Sequence, residues 1–180
     1  MDYPSHVNLS KSTRAKLVEV LNEQLSRSVD LFTQVKQAHW NLKGRDFYSQ
    51  HLLLDEVAKH LRHHSDDMAE RAATLGGYAE GTARMVAQRS DLPEYDRQAV
   101  DGMQHIRLVV ERLARYCAGL REGIERCEEL EDPSTADLLT TLLNEGEKDM
   151  WFLESHLHGS ERGSKSPDRG SSPKGEHPAH

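Results

Sequence analysis

FYSQHLLLDEVAKHLRHHSDDMAERAATL, residues 47–75, reads as one helix of about eight turns. Phe47, His51, Leu54, Ala58, Leu61, Ser65, Met68, Ala72 and Leu75 recur at three- and four-residue spacing, so this stripe is the face expected to enter a core. Asp55, Asp66 and Glu70 share a neighbouring face about a quarter turn away, with His51 at the boundary. His51/Asp55 and Asp66/Glu70 are both i,i+4 pairs, and each pair can share a metal ion. The pair centres lie roughly 22 Å apart along the helix, too far for one cation to use both from one copy. Two copies packed antiparallel about a two-fold axis near His60 and Leu61 would bring the His51/Asp55 end of one against the Asp66/Glu70 end of the other. By symmetry this happens twice per dimer.

Working outward, Leu17, Leu21, Leu25, Ser28, Phe32, Val35 and His39 form a second such stripe, predicting a helix over about 12–40 capped by Ser10 or Ser12. His39 falls on its core-facing side. Asn41–Gly44 supplies a turn and Asp46 a cap for the next helix, which Gly76-Gly77 ends. Residues 78–99 carry Gly81, Pro93 and at most one short helix. A connection of that length favours a bundle with one long crossover.

Met103, Ile106, Val110, Leu113, Cys117, Leu120, Ile124 and Cys127 give a third long helix. Asp132-Pro133-Ser134 opens a fourth, with Thr135, Leu139, Leu142, Gly146, Met150, Leu153 and Leu157 on its stripe. Gly146 is expected to allow close helix contact. The expected fold is all-α: a loose arm at 1–9, a four-helix bundle over 10–158, and a disordered tail at 159–180, where twelve of twenty-two residues are Gly, Ser or Pro.

The formal charge of −7 argues against general polyanion affinity for the body of the protein. No run of eighteen apolar residues predicts a membrane span, and MDYPSHVNLSKSTR lacks the apolar stretch of a secretory signal. Cys117 and Cys127 are expected to be reduced and buried, which suits the cytoplasm. No strand pattern, internal repeat or phosphate-binding loop is present.

The ordered set His39, His51, Asp55, Asp66, Glu70 combines two imidazoles with three carboxylates, which suits iron(II), manganese or zinc. A di-iron site inside one bundle would use Glu-x-x-His pairs, and none occurs. The plainer alternative for Asp66 is an ion pair with Arg62, four residues earlier. His60, His63 and His64 add metal-ligand spacings but are expected on a solvated face away from the core. His156 and His158 could join such a site only if folding brought them near.

AHWNLKG (38–44), FYSQHLLLDEV (47–57) and HHSDDMAERAATLGG (63–77) resemble the signature of the Dps family, DNA-binding proteins from starved cells. DPSTADLLT and DMWFLESHL extend the resemblance over roughly residues 10–158. It implies a ferritin-like four-helix subunit, a hollow homododecamer built from two-fold dimers, and ferroxidase activity that prefers hydrogen peroxide and stores ferric mineral. His39, His51 and Asp55 would come from one subunit, and Asp66 and Glu70, the latter as a bridging carboxylate, from its two-fold partner. Two iron ions per intersubunit site are implied, with zinc as a competitor. Trp40 would lie near the site, where it could intercept stray oxidising equivalents. Glu129, Glu131, Asp132 and Asp137 would line iron-entry pores, most strongly Asp132 and Asp137. DNA contacts would fall to Lys11, Arg14 and Lys16 or to Arg162, Lys165, Arg169 and Lys174 of the tail. The alternative function is a nucleoid-compacting shell with secondary iron chemistry.

Overall fold

A computed structural model describes residues 3–162, with side chains described through His158. The helices are α1 (Lys11–Asn41), α2 (Phe47–Thr74), α3 (Ala83–Arg89), α4 (Gly102–Glu129) and α5 (Pro133–Arg162). Four long helices form the bundle, and the short α3 lies within the long connection. α1 packs chiefly on α2 and α4 on α5, and α1–α4 and α2–α5 contacts join the two pairs. Among the described residues the only extended pairing is an isolated bridge between Lys43 and Asp101.

Local chemistry fixes the helix ends. Ser10 caps α1 by accepting a hydrogen bond from the Thr13 amide at 3.0 Å. Asp46 precedes α2 without a side-chain cap. Gly76, at φ 84°, takes the left-handed turn that ends α2, and its amide reaches the Ala73 carbonyl at 2.9 Å. Asp101 and Gln104 form a reciprocal capping box at the start of α4. Pro133 opens α5, where its missing N–H costs nothing.

The crossover is pinned along α1. Asn22 donates to the Tyr78 carbonyl (3.0 Å) and accepts from the Glu80 amide (2.9 Å). Arg27 grips Asp91 through two hydrogen bonds of 2.7 and 2.8 Å. Farther along, the buried Arg112 reaches from α4 to Gln34 Oε1 (2.7 Å) and to the Glu94 carbonyl (2.9 Å). Backbone groups of an irregular segment thus find partners on rigid helices.

The arm expected to be loose also has partners. Tyr3 N–H donates to the Gly76 carbonyl (2.8 Å), and Ser5 Oγ to the Thr74 carbonyl (3.0 Å). Arg14 donates to the carbonyls of Ser5 and Leu75, so this candidate DNA contact is spent on tying the arm to the end of α2. α5 runs four residues past the expected boundary at 158. Of the tail expected at 159–180, residues 163–180, with Lys165, Arg169 and Lys174, lie outside the described residues, as does the side chain of Arg162.

The α2 core face holds Leu54, Ala58, Leu61, Met68, Ala72 and Leu75 as expected, joined by Val57 and His64. Phe47 is exposed instead, because it sits at the helix start, and Ser65 is half-buried. A Cβ at Gly146 would lie 3.1 Å from Cys117 Sγ, so the glycine does permit close α4–α5 contact. Both cysteines are buried, and burial pushes each thiol up to about 12. Native protein is therefore expected to give no reaction with a disulfide reagent at pH 8 and two reacting thiols per chain once unfolded, read by released chromophore.

Candidate metal centre

His39 near the end of α1 and His51 in the first turns of α2 meet across the turn at Asn41–Asp46. Each Nδ1 lies 3.0 Å from the other residue's backbone carbonyl oxygen. A carbonyl oxygen only accepts, so each Nδ1 carries a hydrogen and, in the neutral ring, each Nε2 keeps its lone pair for a metal. The rings stack at 3.6 Å between centroids, and Phe47 lies 5.1 Å from His51. Burial pushes His39 below the ordinary imidazole range, against an upward pull from its hydrogen bond to His51. It is neutral at neutral pH, the form that binds metal.

Asp55, one turn beyond His51, is exposed and paired with Lys36, Nζ to Oδ1 2.8 Å. The Lys36 hydrogen bond holds the Asp55 carboxyl below the usual range, against a smaller effect of burial. The sequence pattern of ligand residues does not include Lys36. Its one visible signal was its place three residues before His39 on α1. The same ammonium lies 5.9 Å from the Trp40 ring centroid, and Trp40 is 67% exposed.

The structure therefore brings His39, His51 and Asp55 to one end of the α1–α2 pair. It does not bring Asp66 and Glu70 to them. Both are exposed, about three and four turns beyond Asp55 along α2, and Asp66 borders a surface groove with Arg62 and His63. Among the described residues, no group of three or more His, Cys, Asp or Glu side chains of one chain stands placed to hold a metal ion.

Two expectations are corrected. Asp132 is 4% exposed and turned inward: Arg71 Nη2 reaches Oδ2 at 2.9 Å, Arg71 Nε reaches Thr135 Oγ1 at 2.9 Å, and Thr135 donates to Asp132. Committed to that triad, it is not a free pore acid, whereas Glu129, Glu131 and Asp137 are exposed. His64, expected on the solvated face, is 1% exposed and faces α4 and α5, while His63 is exposed. His60 is half-buried and hydrogen-bonded to Asp149.

A ferritin-like domain model matches residues 18–162. The chain is 35% identical over 150 residues to a DNA protection during starvation protein of Agrobacterium fabrum, covering 83% of this chain and 93% of that one. Its fold matches DpsC from Streptomyces coelicolor with a TM-score of 0.83 at 30% identity, covering 87% of this chain and 92% of that one. Dps from Microbacterium arborescens in its high iron form matches with a TM-score of 0.78 at 26% identity, covering 83% and 97%. With the all-α bundle, the long crossover and these matches together, the chain belongs to the Dps family of ferritin-like proteins.

Proposed function

We propose that this protein is a ferroxidase and iron-storage mini-ferritin that protects DNA by consuming ferrous iron together with hydrogen peroxide. The observation that carries the reading is the reciprocal His39–His51 lock, which leaves both Nε2 lone pairs free for a metal, with Asp55 one turn beyond His51. Backbone partners on Nδ1 are what orient metal-binding imidazoles elsewhere. The missing acids are supplied by the partner subunit's Asp66 and Glu70, across a two-fold axis near His60 and Leu61. Family membership supports iron storage and DNA protection in general, and a relative whose structure is of a high iron form supports iron as the substrate.

Each residue then has a task. His39 and His51 offer neutral nitrogen ligands, and Asp55 offers a carboxylate that Lys36 keeps ionised until a cation displaces the ammonium. Glu70 bridges two ferrous ions and Asp66 completes the set. Two ferrous ions give one electron each to one peroxide. The O–O bond breaks and, with two protons taken up, two waters and two ferric ions result. Pairing the electrons avoids the one-electron step that releases hydroxyl radical. Trp40, exposed near Lys36, is placed to be oxidised by any radical that escapes.

Twelve subunits would enclose the ferric mineral, with Glu129, Glu131 and Asp137 attracting cations at the entry pores. No helix among the described residues is long and apolar enough to cross a membrane, and the two free cysteines suit a cytoplasmic setting.

Anaerobic ferrous titration followed by a peroxide pulse tests the reading. The assembly is expected to oxidise about two irons per site rapidly, and Asp66→Ala/Glu70→Ala to slow this on the order of 10²-fold with assembly size unchanged. Equal rates in the two proteins would remove the α2 acids from the site.

A further inference from the structure

A second group of histidines and acids meets between α2, α4 and α5. His60 and His64 lie one turn apart on α2, and Glu145 and Asp149 one turn apart on α5. Both Nε2 atoms face one carboxylate: Glu145 Oε2 is 2.9 Å from His64 Nε2, and Oε1 is 3.7 Å from His60 Nε2. Both Nδ1 atoms are held from behind. Asp149 takes His60 Nδ1 at 2.9 and 3.1 Å, and the Tyr116 hydroxyl lies 3.1 Å from His64 Nδ1. Asp149, His64 and Tyr116 are buried, whereas the Glu145 side chain is 41% exposed and gives the group a solvent side.

We propose that His60 Nε2, His64 Nε2 and the Glu145 carboxylate form a mononuclear site for a divalent transition-metal cation, zinc(II) fitting best, with Asp149 and Tyr116 orienting the two imidazoles.

Three features argue for it. Two histidines at i,i+4 on one helix with a carboxylate from another are a tetrahedral donor set with one position left open. At metal–ligand lengths near 2.1 Å, a nitrogen and an oxygen at the two ends of a tetrahedral edge stand about 3.4 Å apart, and the observed 2.9 and 3.7 Å straddle that separation. The rearmost partners, a carboxylate on one imidazole and a hydroxyl on the other, are those that fix ligand orientation in metal sites.

As they stand, these groups are joined by hydrogen bonds and are not drawn in around a cation. Loading needs two small changes. Glu145 shifts by a few tenths of an ångström away from His64 and toward His60, which the half-exposed glutamate permits. The His64 proton shared with Glu145 leaves Nε2 for Nδ1, where the Tyr116 hydroxyl turns from donor to acceptor. His60 needs no such shift, since Nδ1–H already donates to Asp149 and Nε2 is beyond hydrogen-bond reach of Glu145. This site draws all its donors from one chain and shares none with the two-fold site.

Cobalt(II) binding to the untagged assembly, followed by its visible d–d bands, tests the proposal. The background carries Asp55→Ala/Asp66→Ala/Glu70→Ala, so that the two-fold site is disabled. About one equivalent per chain with intense tetrahedral-type bands is expected, displaced by zinc. Glu145→Gln should weaken binding at least about tenfold, Asp149→Asn by about 10–100-fold, and His63→Gln should change nothing. Glu145 is the primary position because its side chain is partly exposed, and thermal melts without metal confirm that the variants fold. Absence of the tetrahedral bands, or Glu145→Gln binding as tightly as its parent, overturns the proposal.

Discussion

Arg71→Ala is expected to lose about 3–5 kcal/mol of stability at pH 7, the cost of leaving a buried carboxylate without its partner. Asp132 and Arg71 have 6% and 19% of their side chains exposed, and Arg71 also holds Thr135, so no water takes over the lost contacts cheaply. The pH dependence gives the effect its signature. Burial pushes the Asp132 carboxyl up, but the hydrogen bonds from Thr135 and Arg71 together outweigh it and hold the group below the usual carboxylate range. A folded-state pKa below the unfolded value of about 3.9 stabilises the fold above that pH, and the contribution fades as pH falls through the lower folded value. Without Arg71, burial is opposed only by the Thr135 and Ser134 hydrogen bonds, so the depression shrinks and the ionised carboxylate contributes less to folding at neutral pH. The urea midpoint of Arg71→Ala should therefore trail wild type most at pH 7 and by clearly less at pH 4. A gap that stays constant across that range would mean Arg71 acts through packing alone.

This triad also sits where α2 ends and α5 begins, the corner that the acids Glu129, Glu131 and Asp137 surround. An acid held by an arginine supplies no field to a passing cation. Any entry path here relies on the exposed acids and on the corner being held in shape.

The long helices were legible because each writes a clean 3.6-residue stripe into the sequence, and Gly76 and Pro133 mark two of their ends by simple backbone chemistry. The His39/His51/Asp55 grouping was legible for the same reason: a short turn between two helices brings residues twelve apart face to face. What escaped the sequence depends on partners far along the chain. His64 reads as a polar-face residue until Tyr116 and Glu145, 52 and 81 residues away, are seen to satisfy both ring nitrogens in a buried place. Asp132 reads as a free acid until Arg71, 61 residues earlier, is seen against it. Phe47 fits the periodic stripe yet is 42% exposed, because periodicity gives the face of a helix and not where its neighbours stop. The arm at residues 3–9 carries no pattern, and its anchoring depends on carbonyls at the end of α2 left over by helix termination.

The proposed ferroxidase site is assembled from two subunits, and mixed assemblies distinguish it from a site within one chain. One variant, His51→Ala/Asp55→Ala, lacks the histidine side, and the other, Asp66→Ala/Glu70→Ala, lacks the acid side. Each alone is expected to oxidise iron on the order of 10²-fold more slowly than wild type. In a dimer of one of each, two-fold geometry puts both lesions into one site and leaves the other site intact. Equal mixtures, dissociated and reassembled together, should recover about a quarter of the wild-type peroxide-driven rate, since half the dimers are mixed and each has one good site of two. Recovery near that fraction is the predicted result. A mixture no more active than its components, with full-sized assemblies and random mixing verified, would contradict a site shared across the two-fold axis.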